Sequence, residues 1–116
     1  PSFLKIDFAL SIYIIKSKMY TRTQIYKFSS ETKKRLVLAF IKDLDKKFSD
    51  ESKILQYDAV DIGEGKILTF AKYNSKEDFE ETNKWLRPLA VSLIKDLSGI
   101  IEDLPGPLLH SYKRNV

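Results

Sequence analysis

The chain has 116 residues, 43% of them hydrophobic and 31% charged, with a formal net charge of +4. That is the length of one domain and the composition of a soluble globule, which excludes a disordered or membrane-embedded chain. No cysteine is present, which excludes disulfides, thiolate metal sites and a cysteine nucleophile, and fits a reducing, cytoplasmic compartment. A core of this size is modest, and a homodimer would cover apolar surface that a lone domain leaves wet.

Residues 1–18 read PSFLKIDFALSIYIIKSK. The apolar run from Phe8 to Ile15 is shorter than the ~20 residues a bilayer span needs. Asp7 and the missing small-residue cleavage pattern argue against a signal peptide. Leu4, Ile6, Phe8, Leu10, Ile12 and Ile14 alternate without a break, the period of a strand. We therefore expect a strand-like arm over 1–18, ready to pair with another sheet edge, and a core domain over 19–116.

Residues 20–28 (YTRTQIYKF) are rich in β-branched and aromatic types and predict the first strand of that domain. Ser29-Ser30-Glu31 then supplies a hydroxyl cap and an acid for a helix start. Leu36, Val37, Phe40, Ile41, Leu44 and Phe48 recur at helical spacing and predict a buried stripe. The basic runs Lys33-Lys34-Arg35 and Lys46-Lys47 are interrupted by Glu31, Asp43, Asp45 and Asp50. Mixed signs on one helix describe a solvated face, so no nucleic-acid partner is expected.

ILQYDAVDI (54–62) and KILTFAKY (66–73) predict two strands joined by Gly63-Glu64-Gly65. The Gly-x-Gly-Lys string is too short for a phosphate loop and leads into a strand, so it reads as a hairpin turn. Ser75, with Asp78 three residues on, caps a second helix whose stripe is Phe79, Leu86, Leu89, Leu93 and Leu97. Pro88 deletes a backbone donor and disfavours a helical Arg87, which predicts two helical pieces, 76–86 and 88–98. Ser98-Gly99 suits the helix end, and LLHSYKRN (108–115) predicts a closing strand.

The order β-α-β-β-α-β is an α+β, ferredoxin-like arrangement: a four-stranded antiparallel sheet with both helices on one face. The sheet's other face carries apolar residues and needs a cover.

Tyr73-Asn74-Ser75-Lys76-Glu77-Asp78-Phe79 resembles a stretch common in the antibiotic biosynthesis monooxygenase-like family of dimeric α/β barrels. An aromatic residue ends the third strand there, followed by x-Ser-x-Glu-x and an apolar residue, and the second helix breaks near the position of Arg87-Pro88. The resemblance runs over nearly the whole core from Met19. It implies a homodimer whose sheets face each other, with a small hydrophobic or aromatic ligand in the barrel or under the helices. Some members of the family oxidise aromatic polyketide-type substrates with dioxygen and no cofactor; others degrade haem. The haem-degrading branch uses an Asn on the first strand and a His in the second helix. This chain has Thr23 and Gln24 in that part of the strand, and Thr82 and Asn83 but no histidine in the helix.

The candidate catalytic groups are His110, Tyr57 and Tyr26: an imidazole with a near-neutral pKa and two phenols able to donate to an oxyanion. His110 and Tyr112 share a strand face by period 2. The candidate ligand contacts are Gln24, Trp85, Arg87 and Tyr112, with the indole of Trp85 beside Arg87 suited to a planar anion. The bland reading of Trp85 is a packing wedge at the Pro88 kink. No triad or metal-ligand spacing is present, so neither a metal nor a cofactor is expected, and chemistry would rest on substrate self-activation.

Two readings follow. One is a small-ligand-binding dimeric barrel, with cofactor-independent oxygenation of an aromatic or polyketide-like substrate as its candidate chemistry. The other is a non-catalytic homodimeric binding or regulatory domain; a large hydroxyl-lined pocket favours the first and a collapsed interior the second. RNA recognition by the same strand order fails, because Phe70 and Tyr73 stand three apart and the third strand lacks its glycine.

Overall fold

A computed structural model of the chain describes residues 18–48 and 50–114. Apart from Lys18, the expected strand-like arm lies outside the described residues. The elements are β1 (Tyr20–Lys27), α1 (Glu31–Phe48), β2 (Ile54–Gly63), β3 (Lys66–Tyr73), α2 (Lys76–Asp96) and β4 (Ile100–Pro107). The sheet has the order β2-β3-β1-β4 with every neighbouring pair antiparallel, which is the expected ferredoxin-like topology.

The helix starts follow their local chemistry. Ser30 Oγ accepts from the Lys33 amide at 3.2 Å, and Ser75 Oγ from the Asp78 amide at 3.1 Å, satisfying donors that a helix N-terminus leaves free. The β2–β3 turn holds Gly65 at φ +69°, where a Cβ would stand 2.5 Å from the Phe28 carbonyl oxygen. Only glycine fits there without displacing backbone.

Period 2 along β1 sends Arg22, Gln24 and Tyr26 to the helix side, all buried. Tyr26, Val37, Ile67 and Ile94 form one apolar cluster between sheet and helices. Ala71, Tyr73 and Phe79 form a second at the other end. Among the described residues nothing covers the opposite sheet face, where Val60, Ile62, Ile100 and Leu104 are exposed. There the cross-strand rows run Asp58, Phe70, Thr23, Leu104 and Val60, Leu68, Ile25, Glu102.

Three expectations are corrected. First, α2 is continuous from Lys76 to Asp96 with Pro88 inside it, rather than two pieces. Proline removes one ladder bond, and the residues on either side of it, from Phe79 to Ile94, still pack on the sheet. Second, the last strand is 100–107, and residues 108–114 form no regular element. β4 is an edge strand, where Pro105 and Pro107 are tolerated, and its pairing stops where β1 begins, at Tyr20↔Pro107. Third, Leu36 and Leu89 of the expected stripes are exposed, while Lys34 is buried. Its ammonium reaches Asp61 at 2.7 Å, Glu31 at 2.9 Å and the Gly63 carbonyl at 2.9 Å. The lysine has three donors and all three are met.

Candidate functional site

Between the helices and the sheet lies a partly open cavity of about 230 Å³. α1 contributes Val37, Phe40, Ile41 and Leu44 to its wall, and α2 contributes Trp85, Leu86, Leu93 and Ile94. Its floor is the sheet, with Arg22 and Tyr26 from β1 and Tyr57 from β2; Asp45 stands on the α1 side. The lining is mainly apolar with a few convergent polar groups, the usual make-up of a ligand pocket.

Tyr57 reaches the cavity because β2 carries an irregularity. Ile54 pairs with Tyr73 and Gln56 with Lys72, so Leu55 is an extra residue on this strand. The insertion shifts the phase by one and turns Tyr57 to the helix side, opposite Ala71.

Tyr26 donates its phenolic hydrogen to Gln24 Oε1, and the Tyr57 and Thr69 hydroxyls are its further partners. Gln24 Nε2 in turn donates to Asp103 Oδ1 at 3.2 Å, and Asp103 pairs with Arg87. A polar chain thus runs from the cavity floor across β1 to the β4 edge. Burial pushes the Tyr26 phenol above its ordinary pKa and the Tyr57 phenol well above it. Both stay protonated at neutral pH and act as donors, not bases. Burial also raises the Asp45 carboxyl.

Arg22 is 4% exposed. Its Nη1 donates to Asn83 Oδ1 at 2.7 Å, and its guanidinium carbon lies 5.9 Å from the centre of the Phe79 ring. Nε has no hydrogen-bond partner, and among the described residues no carboxylate forms an ion pair with it.

Of the residues expected from sequence, Tyr26, Tyr57 and Trp85 line the cavity. Gln24 is buried beneath it as the acceptor of Tyr26, and Arg87 is engaged with Asp103 behind it. His110 and Tyr112 lie past the end of β4, both exposed and neither in the cavity wall, so the shared strand face expected for them does not form. Arg22 and Asp45 were not anticipated. The signal for Arg22 was its phase with Gln24 and Tyr26, which puts a cation on the buried side of β1. Asp45 is exposed, as the mixed charges of α1 predict, but at the cavity edge. Among the described residues no cluster of three His, Asp or Glu side chains could hold a metal, and no helix is long and apolar enough to cross a membrane.

No family model and no curated protein sequence matches the chain. Solved structures do. A dimeric ferredoxin-like protein from an uncultured marine organism is 12% identical, with a TM-score of 0.66 over 82% of this chain and 99% of that one. SnoaB, a cofactor-independent oxygenase from Streptomyces nogalater, is 10% identical, with a TM-score of 0.61 over 83% and 96%. A Streptomyces coelicolor monooxygenase solved with the ligand nanaomycin D is 12% identical, with a TM-score of 0.62 over 86% and 96%. The chain shares the ferredoxin-like fold of these proteins.

Proposed function

We propose that the protein binds a small, mainly apolar ligand in the cavity under its helices and oxidises it with dioxygen without a cofactor. The observation that carries the reading is the cavity itself, an apolar enclosure with two protonated phenols and one carboxylate at its edge. The fold shared with a cofactor-independent oxygenase agrees with it.

The substrate in this reading has a methylene between an aromatic ring and a carbonyl. Asp45, made more basic by partial desolvation at the cavity edge, takes one of its protons and leaves an enolate. Tyr57 donates to the developing oxyanion. The enolate passes one electron to dioxygen, and the resulting radicals join at carbon as a peroxide anion, which takes up a proton. The O–O bond then breaks as hydroxide leaves, joined by the remaining hydrogen on that carbon. One methylene and one dioxygen become one ketone and one water. The apolar wall excludes solvent from the enolate.

The reading includes a homodimer joined through the uncovered sheet face. It rests on the exposed Val60, Ile62, Ile100 and Leu104 and on the dimeric neighbours of the same fold.

Oxygen uptake with 2-tetralone as probe, a two-ring ketone whose methylene lies between the aromatic ring and the carbonyl, in the presence of chelator and without flavin, tests the chemistry. Enzyme-dependent uptake that falls about 100–1,000-fold in Tyr57→Phe is expected. Binding of the probe with no uptake would return the non-catalytic binding domain in its place.

A further inference from the structure

We infer that the cavity ligand is an anion, a small aromatic carboxylic acid, and that Arg22 supplies its countercharge. The inference rests on the cavity being the binding site and adds the chemical class of what enters it.

A guanidinium removed from water is strongly disfavoured unless an anion and hydrogen bonds compensate. Buried arginines therefore meet carboxylates as a rule. Arg22 is 4% exposed, has an unpartnered Nε, and pairs with no carboxylate among the described residues. Asn83 and the face of Phe79 compensate only in part. The other nearby arginine, Arg87, already has Asp103. Asp45, the acidic residue of the cavity wall, acts on the Tyr57 phenol and forms no ion pair with Arg22. Among the described residues the charge is thus only partly compensated, on a side chain that lines the cavity.

The remaining lining fixes the rest of the ligand. Phe40, Leu44, Trp85 and Leu93 present apolar surface and call for a ring system. A volume of about 230 Å³ falls below the ~300–1,000 Å³ of drug-sized sites, which limits the ligand to one or two rings. A carboxylate suits a planar guanidinium better than a spherical anion does.

Titration with 2-naphthoate against its methyl ester tests this on the unaltered protein. Calorimetry gives the affinity, and quenching of Trp85, the chain's one tryptophan, reports entry into the cavity. The acid should bind at least about tenfold more tightly than the ester. In Arg22→Met the preference should shrink to about twofold or less while ester binding persists. Equal binding of acid and ester by the unaltered protein would overturn the carboxylate inference and leave the cavity as a site. Failure of both probes to bind or to quench Trp85 would overturn the inference together with the cavity reading. If Arg22→Met does not fold, the comparison on the unaltered protein decides alone.

Discussion

Tyr26 gives its phenolic hydrogen to Gln24 Oε1, two residues earlier on the same face of β1. Both side chains are buried, at 4% and 1% exposure. The pair is therefore an internal polar contact within the apolar floor, and the Gln24 oxygen takes its donor from Tyr26. Tyr26→Phe leaves the Gln24 oxygen without this donor in a dry site. A loss of about 1–3 kcal/mol is expected, read from chemical denaturation with an unchanged slope. The Tyr26→Phe, Gln24→Leu double variant should recover part of it, since the Gln24 oxygen is then gone, the remainder being the bond that Gln24 gives to Asp103.

Trp85 forms part of the cavity wall on α2 and is half-buried. Its truncation should cost less than the ~3–5 kcal/mol of a tryptophan enclosed on all sides. Ligand affinity should fall at the same time if the cavity is the binding site, because the ring lost is part of its wall. Thermal unfolding and probe binding on Trp85→Ala separate the two effects. Full core-like destabilisation with unchanged affinity would make Trp85 a packing wedge and nothing more.

Element order and helix starts were legible in the sequence because their causes are local. The period of β1, the hydroxyls of Ser30 and Ser75 and the glycines of the β2–β3 turn act within a few residues. Pro88 misled because tertiary packing outweighs one missing ladder bond. The closing strand falls at 100–107 because Pro105 and Pro107 lie on an edge strand, where a missing backbone donor is tolerated. The site was half legible. Tyr26, Tyr57 and Trp85 were singled out as phenols and an indole, but the reason Tyr57 faces the cavity is a one-residue irregularity at Leu55 that periodicity cannot register. Arg22 was overlooked because a charged residue on a strand is ordinarily placed on the wet face, and here that face is apolar.

Acid should loosen the join between α1 and the β2–β3 hairpin. The Lys34 ammonium holds the Asp61 carboxyl below its ordinary value of 3.8. The Gly65 amide, and then Lys34, hold Glu31 below 4.5. A carboxylate whose folded pKa is depressed adds stability that is complete above its unfolded pKa and is lost as pH falls through the folded value. Unfolding midpoints should therefore be flat through the neutral range with respect to this cluster and decline below about pH 4. Asp61→Asn should flatten that decline. An unaltered acid limb in the variant would show that the cluster does not contribute.

The uncovered sheet face should join two copies of the chain. Leu104 is 48% exposed and sits in one row with Thr23, Phe70 and Asp58, flanked by the row of Ile25, Leu68 and Val60. Exposed apolar area of this kind on a twisted sheet marks an interface, and an isologous one is satisfied by a second identical face. A stable interface removes about 800 Å² per partner from water, which a four-stranded sheet can supply. Leu104→Glu places a charge, and its symmetry mate, on that face. It costs the protomer little because the side chain already meets solvent on this face. Light scattering should give a dimer for the unaltered chain at micromolar concentration and a folded monomer for Leu104→Glu, with circular dichroism unchanged. An unaltered chain that scatters as a monomer would remove the sheet-face dimer.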